Sequence, residues 1–169
     1  MDVSELLTEA FERLPELVRE AVDGLTPDEL AWAPAPGANP VGWLVWHLTR
    51  VQDHHVAELL STEQVWVSGG WAGRFGLPAD PHNTGYGHTP EQVAAVRPES
   101  AQALIDYHEA VAARTRELLR ELTPKDLDRV VDERWDPPVT LGVRLVSIVN
   151  DDDQHVGQAA YVRGLLPRR

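Results

Sequence analysis

Four stretches of the chain repeat apolar residues at helical spacing, separated by segments rich in proline, glycine and capping residues. Leu6, Leu7, Ala10, Leu14, Leu17, Val18 and Val22 make one stripe over Ser4 to Asp23. Pro15 predicts a kink inside it, and Gly24 predicts its end. A second helix is expected from about Pro40 to Leu60, on Val41, Leu44, Val45, Leu48, Val51, Val56, Leu59 and Leu60, with Trp43 and Trp46 beside His47. The third runs from Ser100 to Leu122, with Ala103, Leu104, Tyr107, Val111, Thr115, Leu118 and Leu119 in register. The fourth opens near Leu141, carries Val143, Leu145, Val146, Ile148, Val149, Val156, Ala159, Ala160 and Val162, and stops at Gly164 and Pro167.

Between them, Leu25-Thr26-Pro27-Asp28-Glu29-Leu30 returns almost unchanged as Leu122-Thr123-Pro124-Lys125-Asp126-Leu127. Each reads as a capped short turn with proline at its first helical position. Thr89-Pro90-Glu91-Gln92 predicts a further short helix start, and Val130-Val131 a small β-like patch. The unit of helix, Leu-Thr-Pro turn, loop and helix is therefore written twice, which predicts an all-α four-helix bundle. Glu63 to Thr89 is a long irregular connection between helices 2 and 3, with Trp66, Trp71 and six glycines. A link of that length argues against simple up-down-up-down order and suits a lid or binding loop.

The 169 residues are expected to form a single domain, residues 1–169, with 43% hydrophobic and 25% charged content in the ordinary globular range. No apolar run approaches a membrane span, and the acidic start Met1-Asp2-Val3-Ser4-Glu5 is unlike a secretory leader, so a cytoplasmic location is expected. A net charge of −12 speaks against a nucleic-acid partner, which would need a basic footprint. There is no cysteine, so any metal must be held by His, Asp or Glu, and any thiol must arrive from outside.

Asp151 and His155 are four apart in the fourth helix, so both point from one face and can share a divalent metal. The plain alternative is a hydrogen-bonded pair, common at this spacing. His47, on an apolar helix where an unpaired imidazole is costly, is the candidate third ligand. His54, seven residues on and on the same face, is its reserve. His55 points elsewhere, and His108 is expected to meet solvent or Glu109. Asp152 and Asp153 are expected on the helix surface or behind the ligands. Two His and a carboxylate leave coordination positions open, as a catalytic centre needs, and an N/O set fits zinc, nickel, iron or manganese. In the long connection, Trp71, Arg74, Tyr86 and His88 are candidates for the mouth of such a site. Tyr161 and Arg163 are candidates for contact with a polar cosubstrate.

The segments Gly42-Trp43-Leu44-Val45-Trp46-His47-Leu48-Thr49 and Asp151-Asp152-Asp153-Gln154-His155-Val156-Gly157-Gln158 resemble the paired motifs of the DinB-like superfamily. Those motifs are a His in the middle of the second helix, and a His or carboxylate four residues before a His that precedes Gly-Gln on the fourth. The resemblance covers nearly the whole chain. The carboxylate at Asp151, where many members have His, is similar to the mycothiol-dependent maleylpyruvate isomerases, whose zinc is bound by two His and a Glu. Within the superfamily the chain looks most like small actinobacterial proteins grouped with mycothiol S-transferases. That likeness implies a metal-dependent transferase, with zinc as the metal and mycothiol as cosubstrate, in which a thiolate attacks an electrophilic small molecule. The other readings are a non-enzymatic metal- or ligand-binding stress-response bundle, and a helical dimer whose Asp151/His155 pair is only structural. Apolar surface left over on the first and third helices leaves room for a homodimer.

Overall fold

A computed structural model of the chain describes residues 1–167, and in it the four apolar stripes are the four arms of a bundle. The first arm is broken. Helix α1 spans Val3–Glu12 and α2 spans Leu14–Val22, with Pro15 near the N-terminus of α2, where its missing N–H breaks no helical bond. Asp2 and Glu5 form a reciprocal capping box on α1. Helix α3 (Pro27–Leu30) follows from the Thr26/Glu29 box, and α4 spans Val41–Leu60.

The connection expected to be irregular holds two short helical pieces, α5 (Val65–Ser68) and a 3-10 turn over Trp71–Phe75. After them the chain runs without regular structure to α6 (Pro90–Ala95), which the Thr89/Gln92 box opens. Helix α7 spans Ala101–Arg120, capped by the Ser100 hydroxyl. The second Leu-Thr-Pro copy becomes a 3-10 turn, Pro124–Asp128. A small antiparallel hairpin follows, β1 (Val130–Asp132) against β2 (Val139–Thr140), with Val130 opposite Thr140. Helix α8, Leu141–Gly164, closes the chain.

Side-chain pairs fix the helix directions. Helix α4 lies parallel to α7, because Thr49 meets His108 and, further along both helices, Gln52 meets Thr115. It is antiparallel to α8, because His55 meets Arg144 while His47 lies against His155. Arg116 on α7 holds Glu12, and Arg19 approaches Glu109, so α7 runs against α1 and α2. The order is therefore up-down-down-up, and the parallel pair α4/α7 is what requires the long connection.

Helix α4 is the centre. Its Leu44, Val45, Trp46 and Leu48 are buried against Leu14, Val18, Leu104, Tyr107, Leu145 and Ile148 of the other arms. Each such side chain contributes on the order of 2 kcal/mol by leaving water. With α7 on one side, α8 on the other and the long connection over its outer face, α4 buries polar residues as well. These are His47, Thr49, Arg50, Gln52 and Asp53. Among the described residues, no helix is long and apolar enough to cross a membrane.

Candidate metal centre

Where α4 and α8 cross, His47, Asp151 and His155 each bring one ligand atom to within 4.8 Å of the other two. His47 is buried, and the other two are half-buried. The His47 and His155 rings meet edge-on with centroids 4.7 Å apart, and His155 Nε2 lies 3.5 Å from Asp151 Oδ1. Trp43, one turn before His47, lies flat on that imidazole at 4.7 Å and turns its ring plane at a right angle to His155.

The hydrogen bonds behind the rings decide which nitrogen faces inward. His47 Nδ1 is 2.6 Å from the Thr84 carbonyl, which can only accept, so Nδ1 carries the proton and Nε2 keeps its lone pair. His155 Nδ1 donates in the same way to Gln158 Oε1 at 3.0 Å, with the same result. Asp151 Oδ2 is buried and has no hydrogen-bond partner, an arrangement that native interiors seldom leave unanswered. Two lone pairs and an unanswered carboxylate oxygen fit a divalent cation, and the bonds from Thr84 and Gln158 are those expected behind histidine ligands. Burial pushes the His47 imidazole below its usual value, while Asp151 beside it holds His155 above.

Two elements of this arrangement are not visible in the helical pattern. Arg50, one turn beyond His47, is fully buried. Its guanidinium donates to the carbonyls of Pro81 and Asn83 at 3.0 Å each, and to Asp53 Oδ2 and the Tyr107 hydroxyl at 3.4 and 3.3 Å. Asp53 in turn accepts the backbone N–H groups of Val65 and Trp66. The pair thus nails both ends of the long connection onto α4 and delivers the Thr84 carbonyl to His47. Gly85 is the other element. At φ +93°, a Cβ there would sit 2.9 Å from His47 Nδ1 and from the Trp46 ring, so only glycine lets the backbone come this close. The sequence signals for both were an arginine inside an apolar helix and the run Gly85-Tyr86-Gly87.

A cavity of about 350 Å³ opens beside the triad, lined by His47, Val51, His54, His55, His82, Thr84, Tyr86 and Asp151. Tyr86, 92% exposed, lines this cavity. Other expectations need correction. Trp71 packs on Tyr107, and Arg74 pairs with Glu99 and Asp106, so both face α7 rather than the cavity, because the 3-10 turn folds back on that helix. His88 is spent on structure, accepting from Trp43 Nε1 and donating to Asn83 Oδ1. Tyr161 lines a separate outer groove with Gln158 and Leu44, and neither Tyr161 nor Arg163 lines the cavity at the triad. His54 does not join the triad; it groups instead with His55 and Glu58. His108 is buried against Thr49 rather than in solvent. Asp152 is fully buried and without a hydrogen-bond partner, not on the surface, and burial holds its carboxyl well above the usual range.

An up-down-down-up bundle with a His/Asp/His group between its second and last long helices defines a helical protein with a candidate metal centre. The chain belongs to the DinB superfamily, whose sequence pattern it matches over residues 10–159. Among solved structures it is similar to a protein from Enterococcus faecalis described as a conserved protein of its locus. The two share 36% identity over 98% of each chain, with a TM-score of 0.89. It also shares its fold with a DinB-like protein from Bacillus cereus, at 21% identity over 94% of this chain and 89% of that one, with a TM-score of 0.60. No curated protein matches the chain.

Proposed function

We propose that the protein is a divalent-metal-dependent transferase that uses a low-molecular-weight thiol as nucleophile on an electrophilic small molecule. The observation that carries the reading is the direction of the two imidazoles. Both spend Nδ1–H on an outside acceptor and so keep the Nε2 lone pair free, next to an Asp151 whose buried Oδ2 has no partner, beside an open cavity. His47, Asp151 and His155 would hold the ion, and its chemistry when bound is to keep a thiol deprotonated near neutral pH. Trp43 and the Gly85 backbone wall the His47 side from water, and Tyr86 borders the opening through which both reactants enter.

An external thiol suits a chain with no cysteine of its own. Mycothiol is the thiol of choice and zinc the metal, on the likeness of the Asp151-x-x-x-His155-x-Gly157-Gln158 run to the mycothiol-dependent members of the superfamily. The test is conjugation of mycothiol to monobromobimane by purified, zinc-loaded protein. Turnover that disappears in His47→Ala is expected, and absence of thiol-dependent turnover with one equivalent of metal bound would favour a non-catalytic metal- or ligand-binding role instead.

A further inference from the structure

His54 and His82 line the same cavity as His47 and Asp151. His54 Nδ1 lies 3.1 Å from the Gln64 amide nitrogen, which also donates to the Pro81 carbonyl at 3.0 Å. An amide nitrogen only donates, so His54 accepts at Nδ1 and carries its proton on Nε2. Among the described residues that N–H has no acceptor, and it belongs to a ring on the cavity wall that His82 also lines. Burial lowers the proton affinity of His54 first, Glu58 opposes, and Arg50, His82 and Arg144 all lower it further. Glu58 stands on the solvent side, where water screens it.

We propose that this wall recognises a carboxylate carried by the small molecule that binds at the triad, with His54 Nε2–H and the His82 ring as its contacts. The inference rests on the metal reading of His47, Asp151 and His155. Reach supports it. Seven residues separate His47 from His54, about 10 Å along the helix. Allowing about 2.3 Å for a metal–sulfur bond and about 2.9 Å for the hydrogen bond leaves about 5 Å between sulfur and carboxylate oxygen. A two-carbon spacer spans that distance.

The protein would be loaded with Co(II) and titrated with 3-mercaptopropionate or with 2-mercaptoethanol, reading the sulfur-to-cobalt charge-transfer band. In His54→Phe the Kd for mercaptopropionate is expected to rise about tenfold, as for loss of a charge-assisted hydrogen bond, while that for mercaptoethanol moves less than twofold. His82→Ala, at an exposed position that leaves folding intact, should raise the mercaptopropionate Kd about threefold and serves if the first variant does not fold. If the two thiols shift alike in the variants, or neither shifts, carboxylate recognition is overturned while the metal centre stands. If Co(II) does not bind, or neither thiol gives the band, the reading beneath fails and this inference goes with it.

Discussion

Two groups of histidine and carboxylate lie along α4, and only one of them is arranged for a metal. In the first, His47 and His155 give their Nδ1 protons to Thr84 and Gln158, so both Nε2 lone pairs stay free beside Asp151. In the second, His54, His55 and Glu58 are as close together, but the lone pairs are already used. His54 accepts from Gln64, and His55 Nε2 accepts from the Arg144 guanidinium at 3.3 Å, a group that can only donate. The His55 proton is left on Nδ1, 3.7 Å from Glu58. Proximity of ligand types is thus a weak criterion. What separates a metal centre from a polar cluster is whether the far nitrogen of each ring meets an acceptor or a donor.

The comparison can be broken most directly by counting metal. Wild-type protein purified without a histidine tag should hold one equivalent, and His47→Ala should weaken binding more than about a hundredfold, whereas His55→Ala should change it less than about threefold. Two equivalents, or metal lost with His55, would erase the distinction drawn here. Next in size is the loop contact. Gly85→Ala must displace the backbone that carries Thr84, and a loss of metal affinity of a few tens of fold is expected, read by competition with a chelator. Gly87→Ala, also at positive φ but with open space around it, is the control, expected to cost about 1 kcal/mol of stability and no affinity.

Acidity sharpens the contrast from the other side. Burial, followed by Arg144, lowers the His55 imidazole to about 4. The unfolded chain then binds a proton near pH 6.5 that the folded chain refuses, so this contribution is intact above 6.5 and lost as pH falls towards 4. In chelator-treated protein, His55→Gln should make the loss of stability between pH 7 and pH 5, read by urea unfolding, smaller by about 2 kcal/mol, with the part due to His108, also lowered to about 4, remaining. An unchanged slope in the variant would place the titration elsewhere. The smallest effect is expected of Gln158→Leu, which frees the His155 ring without touching the core. Metal affinity should fall about tenfold with the melting temperature of the metal-free protein unmoved.

The helices were legible because their ends are written in local chemistry. Thr26/Glu29, Thr89/Gln92 and Ser100 cap where the pattern places them, and Pro15 breaks the first arm. The meeting of Asp151 with His155 was legible from their spacing of four, and that of His47 with them from a polar group in an apolar helix. What surrounds them was not. Thr84 and Gly85 act through a loop path that no periodicity encodes, and Trp71 and Arg74 were misplaced for the same reason. Asp152 shows the limit on a helix: a run of three acids reads as solvated, yet one turn along from Ile148 its middle member must face the core.

Arg50 has a consequence for how anything reaches the site. A charge with no contact to water cannot release the carbonyls of Pro81 and Asn83 without being stranded, so the stretch above His47 is a fixed wall and not a door. Traffic is left to the Tyr86 side, where little has to move. The pocket is ready before its visitor arrives, and capture should be limited by diffusion and fit instead of by waiting for a gate.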